Sequence, residues 1–288
     1  MGSDFSAQSW DAVLVVFSAL VLVPYGLHLM DLPQGRWYWL ISGGFAVAYA
    51  QFPSKLSVAL AIPYMLLALG HAVEVVINII VFKHHFVAKW LIATALIYWM
   101  VGAAWAVFFL ADIHPFNFDS VIVGLTAAHF HVAGFALTTV VFCLYNANPN
   151  IENRWLSRAA HAGMPLVAIG ITRTQLNGSH LLEQIAGFLF ALYAIAVAVQ
   201  QTSLVRQKEQ YPLLARCCWL AAVICLYAGG ALAILYTLRF NTPFAWVNIP
   251  NMKLWHGTLN AIGFGGLSLL GWAFAARKRS PIFPSLFA

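Results

Sequence analysis

The residues best suited to chemistry in this sequence are ionisable and amide side chains set within long apolar runs. An ionisable group inside a bilayer costs several kcal/mol unless it faces a partner or a cavity, so each one is a functional candidate. Eight residues form the candidate set: His71, Glu74, His129, His131, Arg173, Glu183, His256 and Asn260.

Acid–base catalysis is the first chemistry that these residues predict. Glu183 or Glu74 is the expected acid or base, because a carboxyl group in an apolar bundle can exchange protons near neutral pH. His129 and His256 are the expected proton partners. Arg173 is expected to hold an anionic head group or a developing negative charge.

Helix periodicity indicates which candidates lie side by side. His71 and Glu74 are three residues apart and therefore share a helix face. His256 and Asn260 are four apart and also share a face, and Asn260 belongs to the predicted catalytic set.

Metal binding is the alternative use of the histidines. The predicted ligands are His71, His129, His131 and His256. Imidazole together with carboxylate suits zinc, iron or manganese and leaves a position open for chemistry. His129 and His131 differ by about 200° around a helix, so only one of them can face a given mononuclear site. The sequence leaves open whether a divalent metal is bound.

An all-α membrane helix bundle must position these candidates. Of the 288 residues, 62% are hydrophobic and only 8% are charged, whereas soluble domains carry about 25% charged residues. Residues 1–288 therefore form one predicted integral membrane domain. The net charge of +6 is scattered over short loops, which excludes nucleic acid. Membrane lipids and a hydrophobic small molecule are the expected partners, and the oligomeric state is undetermined.

Nine segments are apolar enough to be predicted as spans, since a span needs about 20 residues. They are 11–30, 37–52, 56–82, 87–111, 120–145, 159–177, 181–204, 213–238 and 254–276. The tetrapeptide His71-x-x-Glu74 in the third span resembles His180-x-x-Glu183 beside the seventh. Two such tetrapeptides do not establish an internal repeat.

The loop charges orient these spans. With nine spans, eleven basic residues share the side of the C-terminus and three lie on the opposite side. Basic loops remain in the cytoplasm, so the N-terminus is expected outside and the C-terminus inside. The fifth, sixth, seventh and ninth spans then carry polar groups in the outer half of the membrane. This placement predicts a polar cavity that opens outward.

Two segments carry a family resemblance. The runs LTAAHFHVAGF at 125–135 and HGTLNAIGF at 256–264 resemble the YndJ-like family, a group of bacterial multi-pass membrane proteins with no settled function. The resemblance implies a bacterial protein of the cytoplasmic (inner) membrane and implies no reaction. Its matching positions here are His129, His131, His256 and Asn260.

A shorter resemblance concerns haem. The run AHFH at 128–131 is similar to the haem-binding helix of haem–copper oxidase subunit I, in which histidines two apart face two different haems. The match covers four residues, and this chain is short for that family. Haem is therefore a weaker expectation than a divalent metal.

Three functions are compatible with these residues. The leading hypothesis is a membrane-embedded enzyme that acts on a lipid or isoprenoid-like substrate, by acid–base or metal-assisted chemistry in the outward cavity. The second is a proton-coupled or small-solute transporter that uses the same residues as a proton relay. The third is a haem- or metal-binding redox protein.

Overall fold

The computed structural model describes residues 4–50, 54–82, 86–242 and 244–278. Every regular element in these ranges is a helix, which confirms the all-α prediction. The chain divides into two compact units, Met1–Phe142 (unit 1) and Cys143–Ala288 (unit 2), and each is described by itself.

Unit 1 is a set of helices that pack in chain order. The α-helices are α1 (Asp4–Phe17), α2 (Val23–Leu29), α3 (Arg36–Ala50), α4 (Lys55–Val81), α5 (Val87–Leu110), α6 (Ser120–His129) and α7 (Leu137–Ala147), which extends past the unit boundary. The π-helical segments Ser18–Leu22 and Phe130–Ala136 join α1 to α2 and α6 to α7. Helix α3 packs on α4, α4 packs on α5, and α5 packs on α6 and its π segment.

Aromatic rings fill the core of unit 1. Phe45 of α3 stacks on Tyr64 of α4, with ring centroids 4.2 Å apart, and Tyr64 meets Trp99 of α5 edge-on at 5.6 Å. Trp99 also lies 6.1 Å from Phe135 in the π segment. All four rings are fully buried. Large rings in offset and edge contacts fix how closely their helices approach.

His114 organises the loop between α5 and α6. Its Nδ1 lies 2.8 Å from the Phe118 carbonyl oxygen, and its Nε2 lies 3.1 Å from Oδ1 of Asp112. These bonds raise the pKa of His114, with the Phe118 carbonyl as the largest cause. Asp119 caps α6, since its carboxylate accepts from the Val121 amide at 2.8 Å.

Unit 2 repeats the pattern of sequential packing. Its α-helices are α8 (Ile151–Asn177), α9 (Leu181–Val205), α10 (Leu213–Thr237), α11 (Ile249–Asn251) and α12 (Leu267–Lys278). The π segments Met252–Gly257 and Leu259–Gly266 lie between α11 and α12. Helix α8 packs on α9, α9 packs on α10, and α10 packs on the second π segment and on α12.

Local signals explain the ends of α8. The side chain of Asn150 accepts from the Asn153 amide at 2.8 Å, which satisfies a donor that a helix start leaves open. Gly178 ends the helix with φ of 67°. This left-handed conformation favours glycine, and it turns the chain directly into α9.

The predicted spans all fall on helices, but not all of these helices qualify as membrane spans. Seven helices of the described ranges are long and apolar enough: Trp10–Leu29, Lys55–Val81, Val87–Leu110, Ser120–Ala147, Leu181–Val205, Leu213–Phe240 and Ile249–Ala276. The predicted spans 37–52 and 159–177 correspond to α3 and α8, which are not among them. Residues 51 and 52 lie outside the described ranges. The result indicates a multi-pass membrane protein.

Candidate functional site

His131 is fully buried in the π segment Phe130–Ala136, which joins α6 and α7 into one continuous helical rod (the α6–α7 rod). Both of its ring nitrogens are hydrogen-bonded. Its Nδ1 lies 2.8 Å from the Ala127 carbonyl oxygen, and because a carbonyl only accepts, Nδ1 is the donor. The Tyr64 hydroxyl donates to Nε2 across 3.3 Å. The two rings are stacked, with centroids 6.0 Å apart. The neutral ring is therefore held with its lone pair on Nε2.

Gly102 of α5 is the residue that lets the His131 ring approach. A Cβ at position 102 would lie 2.6 Å from Nδ1 of His131 and 3.2 Å from the Ala127 carbonyl oxygen. Real side-chain contacts do not occur at 2.6 Å. Glycine, which has no Cβ, allows the imidazole to lie directly against the α5 backbone.

His71 borders the same aromatic cluster. Its ring centroid is 5.9 Å from that of Trp99, which in turn contacts Tyr64. His71 and His131 therefore flank one group of buried rings in unit 1. Glu74, one turn further along α4, is exposed and is not part of the buried cluster.

His129 and His131 lie in different environments, as their angular separation predicts. His131 is buried, whereas His129 is exposed. Nδ1 of His129 donates to the Leu125 carbonyl at 2.7 Å, so its neutral ring also carries the lone pair on Nε2. The π segment begins at Phe130, directly between the two histidines. Such segments occur frequently at functional sites.

Asn260 is hydrogen-bonded to His256, and both lie against Gly229 of α10, which confirms that they share a helix face. Nδ1 of His256 donates to the Gly229 carbonyl at 2.9 Å. Nδ2 of Asn260 donates to the His256 carbonyl at 2.8 Å. A Cβ at Gly229 would lie 2.6 Å from Oδ1 of Asn260, so this glycine permits the close approach.

Each unit places a polar side chain of one rod against a glycine of the preceding helix. Gly102 lies about two turns before the end of α5, and Gly229 lies about two turns before the end of α10. Each faces the next helical rod of its unit, which π segments interrupt. The side chain against Gly102 is His131, and the side chain against Gly229 is Asn260. Nδ1 of His131 donates to a carbonyl of its own helix, whereas Nδ1 of His256, one turn before Asn260, donates to the Gly229 carbonyl of α10.

Glu183 is held in an ion pair with Arg239. Nη2 of Arg239 lies 2.5 Å from Oε1 of Glu183, and the two side chains are 21% and 13% exposed. The guanidinium lies 3.7 Å from the ring centroid of Tyr236 and 3.9 Å from that of Phe240. This carboxylate therefore fastens the start of α9 to the end of α10. Arg173, the arginine selected from the sequence, is exposed on α8.

The predicted metal ligands do not form a ligand set. Within the described ranges, no group of three or more His, Cys, Asp or Glu side chains is placed to hold one metal ion. His71, His129 and His131 belong to unit 1, and His256 belongs to unit 2. Metal binding by these histidines stays a prediction.

Sequence reasoning missed the residues that position the histidines. Tyr64 is a phenol in an apolar run, and Gly102 and Gly229 are single glycines in apolar helices, so none of them stood out as ionisable. Arg239 lies one residue past the predicted span 213–238, so it was not among the residues predicted to lie within the membrane. A usable signal existed, since each glycine lies near the end of a span that directly precedes a histidine-bearing span.

Fold and site together define a class: an all-α, polytopic membrane protein with histidines in π-interrupted helices. The YndJ-like protein family matches residues 13–264, and the chain belongs to this family. The match covers every candidate residue, including the two segments that carried the resemblance. The family description names no reaction or ligand. No curated protein and no solved structure matches the chain significantly.

Proposed function

We propose that this protein is a proton-coupled carrier of the bacterial cytoplasmic membrane, in which His131 and His256 bind and release the proton. The observation that carries the proposal is that each unit holds an imidazole, His131 or His256, fixed by an Nδ1 hydrogen bond to a backbone carbonyl. A ring fixed in this way presents Nε2 as its proton acceptor.

Nine spans with an outer N-terminus and a cytoplasmic C-terminus are the topology we propose for this carrier. Helix α8 follows α7 closely and turns at Gly178 into α9, against which it packs. The 19 residues of 159–177 are nearly the length of one span, so this part of α8 can cross the membrane beside α9. Helix α3 packs on α4 and has 15 residues, about 22 Å at 1.5 Å per residue. The distribution of basic loop residues supports the orientation.

An internal repeat supports transport over single-site catalysis. Helices α3, α4, α5 and the α6–α7 rod correspond in order and packing to α8, α9, α10 and the α11–α12 rod. In the proposed topology each repeat has four spans, an even number, so the chain enters both repeats from the same side of the membrane, as in carriers with parallel repeats. The repeat rests on this order and packing, and on a glycine of α5 and of α10 that admits a polar side chain of the following rod, His131 and Asn260 respectively. The tetrapeptides that begin at His71 and His180 lie at different depths of α4 and α9, so they are not its basis.

The two carboxylates predicted to be catalytic also favour a relay over a carboxylate-based enzyme. Glu183 is neutralised by Arg239, and Glu74 is exposed outside the buried cluster. The buried groups of unit 1 that can accept a proton include the imidazole of His131, to which the Tyr64 phenol donates, and the carboxyl group of Asp11.

Proton movement in proteoliposomes tests the proposal. The purified protein is reconstituted around a pH-sensitive dye, a pH gradient is imposed, and candidate solutes are added in turn. Solute-dependent proton flux is expected for the native chain and for His114→Gln, a control in an extramembrane loop. It is expected to fall by tenfold or more in His131→Gln and His256→Gln. A folded native chain that moves no protons, or variants with native flux, would contradict the relay.

An absorption spectrum of the same preparation separates the haem hypothesis. A haem needs only one or two axial imidazoles, so the lack of a three-ligand set in the described ranges does not bear on it. A Soret band that disappears in His129→Ala or His131→Ala would show that these imidazoles bind haem, and it would refute the proton-relay proposal.

A lipid-directed enzyme is the second candidate, and the exposure of His129 favours it. An imidazole exposed on an apolar helix can be reached by a substrate dissolved in the membrane. The lipids of cells that express the native chain and His129→Ala are compared by mass spectrometry. A lipid species that depends on His129 is the expected result for an enzyme, and identical lipid profiles would exclude this role.

A further inference from the structure

One face of α4 carries polar groups where an apolar surface is expected. Gly70, Glu74 and Asn78 follow one another at intervals of four residues, so they form one strip along the helix. Gly70 and Glu74 are exposed, and Asn78 is half-buried. A Cβ at Gly70 would meet no atom within 4 Å, so the space beside this strip is open.

The flank of the strip shows what this surface otherwise contacts. Leu66, Val73 and Ile77 are 53%, 45% and 52% exposed, as is usual for side chains that face lipid. The helix Lys55–Val81 is one of the seven apolar enough to cross a membrane. Glu74 lies about two turns inside its end. A carboxyl group at that depth gains no hydrogen bonds from acyl chains, so it needs a polar partner.

We propose that this strip is the contact surface of a homodimer, in which α4 of one copy crosses α4 of a second copy. The strip contains what such a contact requires. Gly70 lets two backbones approach closely, and Glu74 and Asn78 provide an acceptor and a donor one turn apart. His71, half-buried beside Glu74, adds a further polar group at the edge.

Self-complementarity is the reason that the partner is a second copy of this chain. In a twofold interface the same patch meets itself, so residue i contacts j while j contacts i. Glu74 of each copy can then accept from Asn78 of the other, and both polar groups are satisfied by one symmetric arrangement. Polar side chains that hydrogen-bond across helices, together with a small residue that lets the backbones approach, are typical of helix contacts in membranes.

Cysteine cross-linking in native membranes tests the contact. The four native cysteines are first replaced, Cys143 by Ala and the other three, Cys217, Cys218 and Cys225, by Ser. Gly70→Cys is introduced on the proposed surface, and Leu69→Cys serves as the matched control, also exposed and at the same depth of the helix but about 140° away from Glu74. After mild oxidation, a disulfide-linked dimer is expected from Gly70→Cys at several times the yield from Leu69→Cys. Equal yields from Gly70→Cys and Leu69→Cys, or no dimer from Gly70→Cys, would overturn the proposal.

Oligomeric mass in lipid nanodiscs provides an independent readout. The native chain is expected to be a dimer. The double variant Glu74→Leu/Asn78→Leu, which keeps the helix apolar, is expected to dissociate with a dimer dissociation constant about tenfold higher or more. Leu69→Ala, an exposed position about 140° around the helix from Glu74, is the control and should remain dimeric. A native chain that is monomeric, or a double variant that remains as dimeric as the native chain, would contradict the interface.

Discussion

Substitution of Gly102 by alanine tests the geometry on which the imidazole site depends. The added Cβ would lie 2.6 Å from Nδ1 of His131, 3.0 Å from its Cε1 and 3.2 Å from the Ala127 carbonyl oxygen. The ring cannot remain in place at those distances. It must tilt or move away from α5, which lengthens the 2.8 Å bond from Nδ1 to Ala127.

The size of the effect follows from three contributions. Overpacking of a close-packed core costs about 1–3 kcal/mol. A weakened hydrogen bond costs about 0.5–1.5 kcal/mol. The higher helix propensity of alanine returns about 1 kcal/mol. The expected net loss of unfolding free energy is about 2 kcal/mol, and at about 2–4 °C per kcal/mol the Tm falls by about 4–8 °C.

Thermal unfolding in nanodiscs, followed by far-ultraviolet circular dichroism at one fixed scan rate, measures this loss. Gly43→Ala is the matched control, since it lies in the neighbouring helix α3 of the same unit and a Cβ there meets nothing within 4 Å. Gly43→Ala should leave Tm unchanged or raise it slightly. If Gly102→Ala unfolds at the same temperature as Gly43→Ala, the close contact between α5 and His131 is refuted.

Three further predictions concern contacts outside this pair. Glu183→Gln should lower the free energy of unfolding by about 1–2 kcal/mol, between the values for exposed and fully buried ion pairs. In a double-mutant cycle with Arg239→Leu, most of that loss should appear as coupling energy between the two positions. Additive effects of the two substitutions would refute the ion pair. Asn150→Ala should cost about 1 kcal/mol through loss of the α8 cap, measured by thermal unfolding, and an unchanged Tm would refute the role of the cap. The raised pKa of His114 means that the stabilisation which its protonated ring gains from the Phe118 carbonyl and Asp112 is fully present below its ordinary pKa of about 6.5 and is lost as pH rises through the folded value. Hydrogen exchange in the α5–α6 loop, corrected for the intrinsic pH dependence, should therefore be slower at low pH in the native chain than in His114→Gln, and equal protection would contradict it.

Much of the fold was accessible from the sequence because membrane helices are governed by local composition. A lipid environment requires each segment to satisfy its own backbone, so an apolar run of sufficient length predicts a helix directly. The segments 87–111 and 181–204 match α5 and α9 to within one residue. Segment 159–177 covers the smallest part of its helix, since α8 begins eight residues earlier, at Ile151. The first two turns of α8 contain several polar residues, so a search for apolar runs does not detect them.

The site was less accessible because its partners lie far apart in the chain. Helix periodicity correctly paired His256 with Asn260 and separated His129 from His131, since both inferences depend only on residues per turn. It had no means to place Tyr64 beside His131. The assignment of Glu183 to catalysis also lacked its partner Arg239, which is 56 residues away.

The sequence by itself determined that lipid surrounds this protein, that its fold is helical and which family it belongs to. Hydrophobic content, span length and two short motifs are all properties of the chain read in order. Tertiary structure decided which imidazoles are buried, which glycines admit them and which carboxylate is neutralised. Those features depend on distances of a few ångströms between helices, and such distances arise only when the helices pack.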